Sequence, residues 1–556
     1  MAKDDSNLVF LPLGGLGEIG RNAALYGYGP KKNREWILVD CGVSFAGPEA
    51  PGVDLYLPDL RFIEAQKDRL KGIIITHAHE DHIGAVMDLW PRLKAPLYAT
   101  QFAADLLEVR RFSEPGAKPI PVNIVAPGER FDCGPFNIEM IRVAHSIPES
   151  TALALRTPSG LIVHTGDWKI DPTPVVGWTT DEARFRALGD EGVLALVCDS
   201  TNVNRDGISP SEADVSVALK EIIGKAKARV AVTTFASNVA RIRSVAEAAF
   251  ANDREVVVVG RAMDRVIQVS RELGLLDGLP PFKTADAFSY LPRHKIVLLM
   301  TGSQGEPRAA MARVAEEQHP AIALAPGDTA IFSSRTIPGN EKAVGKIINN
   351  LTRMGIDVIT DRDGLVHVSG HPRRGELEQM YAWVRPQTAI PAHGEPYHLH
   401  EHAKLARKLG VPNVLEVTDG ELVALSPGTP AIIDEIGASH LNKDGTIITD
   451  ASDPAVQERR RLSFSGIISI ALALDSRGEL AGTPTFDISG LPERASNGQM
   501  FDAIIEDAIS ETLDGLPRGK RRDPESVETA VERAVRGTVA ERWGKKPVCH
   551  VLVVIV

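Results

Sequence analysis

Short apolar runs recur along this chain, and several stop on a residue with a ligand side chain. Residues 72–76 (Gly-Ile-Ile-Ile-Thr) read as a buried strand, and His77 follows. Residues 141–144 lead into His145, residues 161–163 into His164-Thr165-Gly166-Asp167, and residues 388–392 into His393. Runs of this length, bounded by polar loop residues, predict strands covered on both faces. Residues 23–28 and 35–40, on either side of a Gly- and Pro-containing turn, predict a hairpin. From about residue 211 the rhythm changes. Strands at 229–234, 255–259, 295–300, 329–333 and 356–360 alternate with helices at 239–250, 265–273, 308–317 and 341–354, which predicts a parallel sheet with helices on its faces. Near the end, a strand at 466–474, helices at 499–513 and 526–542 and a strand at 548–556 make a small α/β unit. The last strand is almost wholly apolar and is expected to be covered on both faces. Residues 426–457, rich in Gly, Pro, Asp and Ser, read as part of a linker.

The chemistry concentrates in His77-Ala78-His79-Glu80-Asp81-His82. Only 15 histidines occur in the whole chain, and three of them lie within these six residues. Neutral imidazole nitrogens and an anionic carboxylate are the donor set that suits zinc. Residues i and i+2 of an extended segment share a face, so His77 and His79 can turn to one ion, with Asp81 and His82 beside a second. His145, Asp167 and His393 each follow a strand and reach a shared rim.

This ordered set resembles the metallo-β-lactamase fold, in which HxHxDH is followed by a His, an Asp and a final His. The resemblance implies one metal on His77, His79 and His145, a second on Asp81, His82 and His393, and Asp167 bridging both. About 226 residues separate Asp167 from His393, room for a whole inserted domain. That stretch holds Cys198-Asp199-Ser200-Thr201-Asn202 and His367-Val368-Ser369-Gly370-His371. With the Pro391-Ala392-His393-Gly394-Glu395 run, these resemble the extra motifs of β-CASP nucleases, whose RNA-processing members carry His at the third position. The segments 13–22, 145–150, 234–238 and 301–307 are similar to the ribonuclease J branch. There Ala78 stands where Gly is frequent, and Pro372-Arg373-Arg374 replaces a softer, Gly-rich stretch.

The resemblance implies an α/β architecture: a metallo-β-lactamase sandwich (1–210 and 366–425), a β-CASP insert (211–365), a linker (426–462) and a C-terminal α/β domain (463–556). It implies a ribonuclease that degrades and processes RNA 5′→3′ from a 5′-monophosphate end, with endonuclease activity. Two zinc ions, or manganese or magnesium, would activate a hydroxide for attack on the phosphodiester. His371 is the candidate for assisting the leaving oxygen, and Asp81 could share the proton work. Phe235, Ser237, His367, Val368, Ser369, Gly370 and His371 are the candidate RNA-binding residues. Asp199 is expected to orient a metal-bound histidine. In similar proteins a structural calcium joins an early loop to the C-terminal linker; Asp444, with carbonyls of Pro51 and Val53, matches by position. A homodimer, or a homotetramer, through the C-terminal unit is also implied.

Composition narrows the partners. The chain of 556 residues carries a formal charge of −11, so RNA contact must rest on a local groove and on the metals rather than on a basic surface. Cys41, Cys133, Cys198 and Cys549 have no CxxC spacing, which fits a reducing cytoplasm. No apolar stretch of signal or membrane-spanning length is seen. Gly15-Leu16-Gly17-Glu18-Ile19-Gly20 with Asp40 mimics a dinucleotide fingerprint, but a hairpin follows where that motif needs a helix. The glycines are expected to make a tight loop beside the metals. A dinuclear hydrolase of small esters or lactams, a non-catalytic RNA scaffold and a DNA-processing β-CASP enzyme are the rival readings.

Overall fold

A computed structural model describes residues 7–113, 116–337 and 339–556. Two mixed sheets face each other in the first unit, which comprises residues up to Ser44 and Leu57–His440. The eight-stranded sheet has at its centre Leu8–Gly14, Ala23–Tyr28, Glu35–Val39 and Leu70–Ile74. The seven-stranded sheet contains Phe136–Arg142, Thr151–Thr157, Gly160–His164, Val193–Asp199 and Thr388–Ala392. Between them Phe10, Tyr26, Ile37, Ile74, Phe136, Met140, Leu153, Ile162 and Ile390 form one buried apolar core. Antiparallel pairing of Ala23–Tyr28 with Glu35–Val39 is the expected hairpin.

Register decides which loops meet. Gly160–His164, Val193–Asp199 and Thr388–Ala392 run parallel, with His164 opposite Val197 and Asp199 opposite Ala392. Their carboxyl ends therefore open on one rim, where the segments through Asp167, Asp199 and His393 emerge.

The insert carries a five-stranded, all-parallel sheet in the order Glu255–Val259, Ile296–Met300, Val230–Thr233, Thr329–Phe332, Asp357–Ile359. All residues of Val230–Thr233 and Ile296–Met300 are buried, as a sheet covered on both faces requires. The helix Val239–Ala251 buries Val239, Ile242, Val245, Ala246 and Ala249 on one face.

The second unit comprises Phe45–Tyr56 and Leu441–Val556. Its three-stranded sheet runs Thr485–Ser489, Ile467–Leu474, Val548–Ile555. Helices Phe501–Gly515 and Pro524–Trp543 cover one face through Ile505, Ile509, Val527, Val531, Val535 and Val539. The other face is open, contrary to the expectation for the last strand: Leu552 is 67 % and Val554 57 % exposed. Both helices pack on the opposite face, so the outward alternate residues of this strand have no second layer among the described residues.

The expected linker is built structure. It contains the strands Ala431–Glu435, His440–Asp444 and Ile447–Asp450 and the helix Pro454–Ser465. Ala431–Glu435 is exposed throughout and lies at a sheet edge, so no apolar alternation marks it. The calcium expected at Asp444, Pro51 and Val53 does not fit the residues as arranged. Arg459 Nη2 lies 2.5 Å from Asp444 Oδ2, and Nη1 donates to the Pro51 carbonyl at 3.4 Å. A guanidinium already pairs with two of the three oxygens.

Candidate metal centre

The HAHEDH segment follows Leu70–Ile74 and turns into a single helical turn, Glu80–Ile83, with His79 at its N-cap. This turn brings four donor side chains together. Nδ1 of His79 lies 3.1 Å from Nε2 of His77 and 3.0 Å from Nε2 of His145. Asp167 Oδ2 is 3.7 Å from both His77 Nε2 and His145 Nε2. A second group packs against it: Asp167 Oδ2 is 3.3 Å from His82 Nε2 and 3.4 Å from His393 Nε2, and Asp81 Oδ2 is 3.6 Å and 3.4 Å from the same two nitrogens. Asp167 thus belongs to both groups. For metal–ligand bonds of about 2.1 Å, donors at the corners of a tetrahedron stand about 3.4 Å apart, so the spacings fit two ions. Among the described residues, the buried Asp167 Oδ1 and both ring nitrogens of His393 have no hydrogen-bond partner, the condition of atoms kept for a ligand.

Electrostatics agree. Burial and neighbouring histidines hold His77 and His145 well below the usual range, and burial pushes His79 down to about 4, so these rings are neutral donors. Burial opposes charge on His82, yet Asp167, Asp81 and Asp40 outweigh it and hold that ring well above its usual range. In Asp167 burial works against the carboxylate, but His393, His82 and His371 together keep it ionised. A cation is what this carboxylate-rich half calls for.

The candidate ligands are held from behind. His82 Nδ1 is 2.7 Å from Asp40 Oδ2, and Asp40 also accepts from the Thr76 N–H at 2.8 Å and the Thr76 hydroxyl at 2.9 Å. Thr76 Oγ1 is 3.0 Å from His77 Nδ1, and His145 Nδ1 is 2.6 Å from the Gly370 carbonyl oxygen. Such contacts fix tautomer and ring orientation. Asp40 (φ 62) and His393 (φ 50) both sit in the left-handed region, a strain kept where the fold needs that direction. The glycine loop behaves as expected: Leu16 and Glu18 bridge Gly394, and Gly15, Gly17 and Gly20 have positive φ.

Asp199 has a different partner from the one expected. Its Oδ2 lies 2.8 Å from Nδ1 of His371, not against a metal ligand, and its Oδ1 accepts from the Thr201 N–H and hydroxyl. His371 is also 3.8 Å from Asp167. Despite burial, Asp199 and Asp167 push its ring up to about 9. In the rest of the HVSGH run, Val368 is buried, and Ser369 Oγ accepts from Asn202 Nδ2 at 2.8 Å. His367 is pushed down to about 3, first by burial and then by Arg241 and Lys169, and its Nδ1 has no hydrogen-bond partner among the described residues. Phe235 and Ser237 are half-buried in the loop after Val230–Thr233; among the described residues no hydrogen bond joins their side chains to the HVSGH run.

Sequence reasoning missed two supports. Asp40, which the sequence presents as the acid of a false fingerprint, also ends an apolar strand. The other is a buried ionic ladder. Lys169 Nζ is 2.7 Å from Asp171, whose Oδ2 accepts from the Glu212 N–H at 3.0 Å. Glu212 accepts from Arg241 Nη2 at 2.7 Å, and Arg241 Nη1 donates to Ser333 Oγ at 2.5 Å and to the Val366 carbonyl at 2.7 Å. It ties the segment after Asp167 to the insert and to the residue before His367. Nothing in local spacing announces it, because its members come from five segments distant in sequence.

Comparison with known proteins follows this architecture. Family matches are "Beta-lactamase superfamily domain" over residues 35–232, "Ribonuclease J, beta-CASP domain" over 227–351, "Zn-dependent metallo-hydrolase RNA specificity domain" over 355–415 and "Ribonuclease J C-terminal domain" over 454–556. The chain is 53 % identical to a ribonuclease J of Sinorhizobium meliloti across 100 % of this chain and 98 % of that protein. It is 36 % identical to a ribonuclease J of Thermus thermophilus over 83 % of this chain and 81 % of the other. A crystal structure of a protein of unknown function from Enterococcus faecalis shares the fold, with a TM-score of 0.52 at 15 % identity, over 75 % of this chain and 99 % of that one. The chain belongs to the ribonuclease J family, with a metallo-β-lactamase fold, a β-CASP insert and a ribonuclease J C-terminal domain.

Proposed function

We propose that the chain is a metal-dependent ribonuclease that degrades and processes RNA 5′→3′ from a 5′-monophosphate end and also cuts internally. The observation that carries this reading is the pair of four-donor groups sharing Asp167, with His371 and Asp199 beside them. In this reading His77, His79 and His145 hold one zinc ion, Asp81, His82 and His393 hold another, and Asp167 serves both; manganese or magnesium is the alternative. When bound, such a pair supplies a nucleophile from water at neutral pH and neutralises charge on the phosphoryl oxygens.

The chain's own residues do the rest. Asp40, Thr76 and the Gly370 carbonyl keep the ligand rings aimed. His371, held by Asp199, donates a proton to the 3′-oxygen as the P–O3′ bond breaks, leaving a 5′-phosphate downstream and a 3′-hydroxyl on the released nucleotide. Asp81 is first a ligand and second a proton acceptor. Ser369, the neutral His367, Ser237 and Phe235 receive the terminal phosphate, in a pocket that a triphosphate overfills. Four free, buried thiols suit the cytoplasm.

The test is one RNA prepared with 5′-monophosphate, triphosphate and hydroxyl ends, with matched DNA and a lactam ester as controls. Stepwise loss of 5′ nucleotides from the monophosphate alone, abolished by a chelator and restored by zinc or manganese, is expected. Equal exonucleolytic rates on all three ends, or cleavage of DNA as fast as RNA, would overturn it.

A further inference from the structure

Directly after the HVSGH run come Pro372, Arg373 and Arg374. Arg373 forms a parallel bridge with Asn202, and Asn202 Nδ2 donates to the His371 carbonyl at 3.2 Å and to Ser369 Oγ. The Arg374 N–H donates to the Arg205 carbonyl at 2.9 Å. Segments 202–205 and 369–374 are thus zipped side by side, which sets Arg205 beside Arg373.

The Arg205 guanidinium is half-buried, and among the described residues it has no hydrogen-bond or ion-pair partner. Its pKa is lowered, first by burial and then by the charge of Arg373, against a weaker pull from Asp361. Arg205 also adds to the positive field that keeps His367 neutral. Among the described residues, the Arg373 guanidinium reaches only a backbone carbonyl, that of Ile208, at 3.5 Å. Both backbones are pinned by the zipper, so the two like charges are not free to separate widely. Their repulsion is relieved when an anion sits between them, and guanidinium groups favour phosphate oxygens through paired N–H donors. On a chain of formal charge −11, a local pair of this kind matters more to a polyanion than the protein's overall field.

We propose that Arg205 and Arg373 form a two-guanidinium clamp on one phosphate of the RNA, beside the HVSGH run. The clamp rests on the ribonuclease reading and adds to it a grip outside the metal ligands.

The test uses the full-length, metal-loaded protein and a 3′-fluorescein RNA whose linkages are phosphorothioates, to slow cutting. Binding is followed by anisotropy over a salt series for wild type, Arg205→Gln, Arg373→Gln, the double variant and Arg205→Lys. Each Gln variant is expected to bind about tenfold more weakly. Its plot of log affinity against log salt should flatten by about 0.7, the share of one single-stranded phosphate. The double variant should flatten no further, because one phosphate is shared, and Arg205→Lys should keep the wild-type slope. Repeating the series with 5′-hydroxyl RNA assigns the phosphate: a deficit that disappears marks the terminal one, a deficit that persists an internal one. Wild-type slope and affinity in Arg205→Gln would overturn the clamp, as would additive slope losses in the double variant. If Arg373→Gln lowers the melting temperature, the Arg205 variants decide, because that side chain has no internal partner to lose. Failure of wild type itself to bind RNA would instead strike the ribonuclease reading, before any variant is compared.

Discussion

The carbonyl oxygen of Gly370 meets Nδ1 of His145 at 2.6 Å across 225 residues of chain. A Cβ added at Gly370 would stand 2.7 Å from two atoms of the same ring, so only glycine lets this backbone lie against His145. Gly370→Ala should displace His145, lower metal content at that ion and cut turnover by about ten- to a hundredfold, while melting temperature changes little. Metal analysis beside kinetics checks it. Unchanged metal content and rate would mean that the ring can shift without cost.

His77→Ala removes a donor without touching the apolar core. Nuclease activity should vanish, and bound metal should fall below the two ions per chain expected of the wild type. Circular dichroism should stay close to wild type. Full activity in a preparation free of wild-type enzyme would sink the dinuclear centre.

Asp199→Asn keeps the shape around His371 but takes away the charge that supports its proton. The rate should drop by about ten- to a hundredfold, the range for removing a carboxylate behind a functional histidine. KM should move little. A change in KM alone would reassign the pair to substrate binding.

Asp419 offers a test by pH. Burial, then the negative charge of Glu18, pushes its carboxyl up to about 7 against the pull of Arg21. The folded chain therefore keeps a proton that the unfolded chain, with a pKa of about 3.9, releases. The stability this represents is fully present below about pH 4 and is lost as pH rises through about 7. Asp419→Asn can still accept from the Leu16 N–H, now 3.1 Å from Asp419 Oδ1. It should gain stability relative to wild type between pH 5 and 8, by up to a few kcal/mol. Melting curves of both proteins over that range that stay parallel would refute the argument.

The open face of the C-terminal sheet suggests its own measurement. Leu552 and Val554 on that face, and Val556 after the strand, have exposures of 67 %, 57 % and 71 %. We propose that this surface closes against a second copy, and that deleting the C-terminal unit lowers activity by dissociation rather than by loss of chemistry. Light scattering over a concentration series should report a homodimer or homotetramer that Leu552→Glu with Val554→Glu breaks. A full-length chain that is monomeric at micromolar concentration would end the idea.

The readable parts of this protein were those whose signal is local. HAHEDH is six contiguous residues, and the parallel sheet of the insert announces itself by strand–helix alternation. His145, Asp167 and His393 were legible because each ends an apolar run. Arg241, Glu212 and Lys169 were not, because a buried ion ladder is made by tertiary contacts between segments that look ordinary alone. Ala431–Glu435 looked like linker because an exposed edge strand carries no alternation. At Asp444 the expected calcium competes with an arginine 15 positions on in sequence, Arg459, which takes two of the three expected oxygens. Charge balance of that kind is invisible until the loops are folded together.

The order of donors along the chain has a consequence for synthesis. His77, His79, Asp81, His82, His145 and Asp167 all leave the ribosome well before His393, which arrives only after the whole parallel sheet of the insert. A growing chain can therefore present one complete donor group while the second still lacks its last ring. A protein read as cutting RNA is assembled on a machine that travels along RNA. Splitting its centre across the insert delays the full constellation until the insert has been made, so the nascent chain lacks the second group for as long as His393 is unmade.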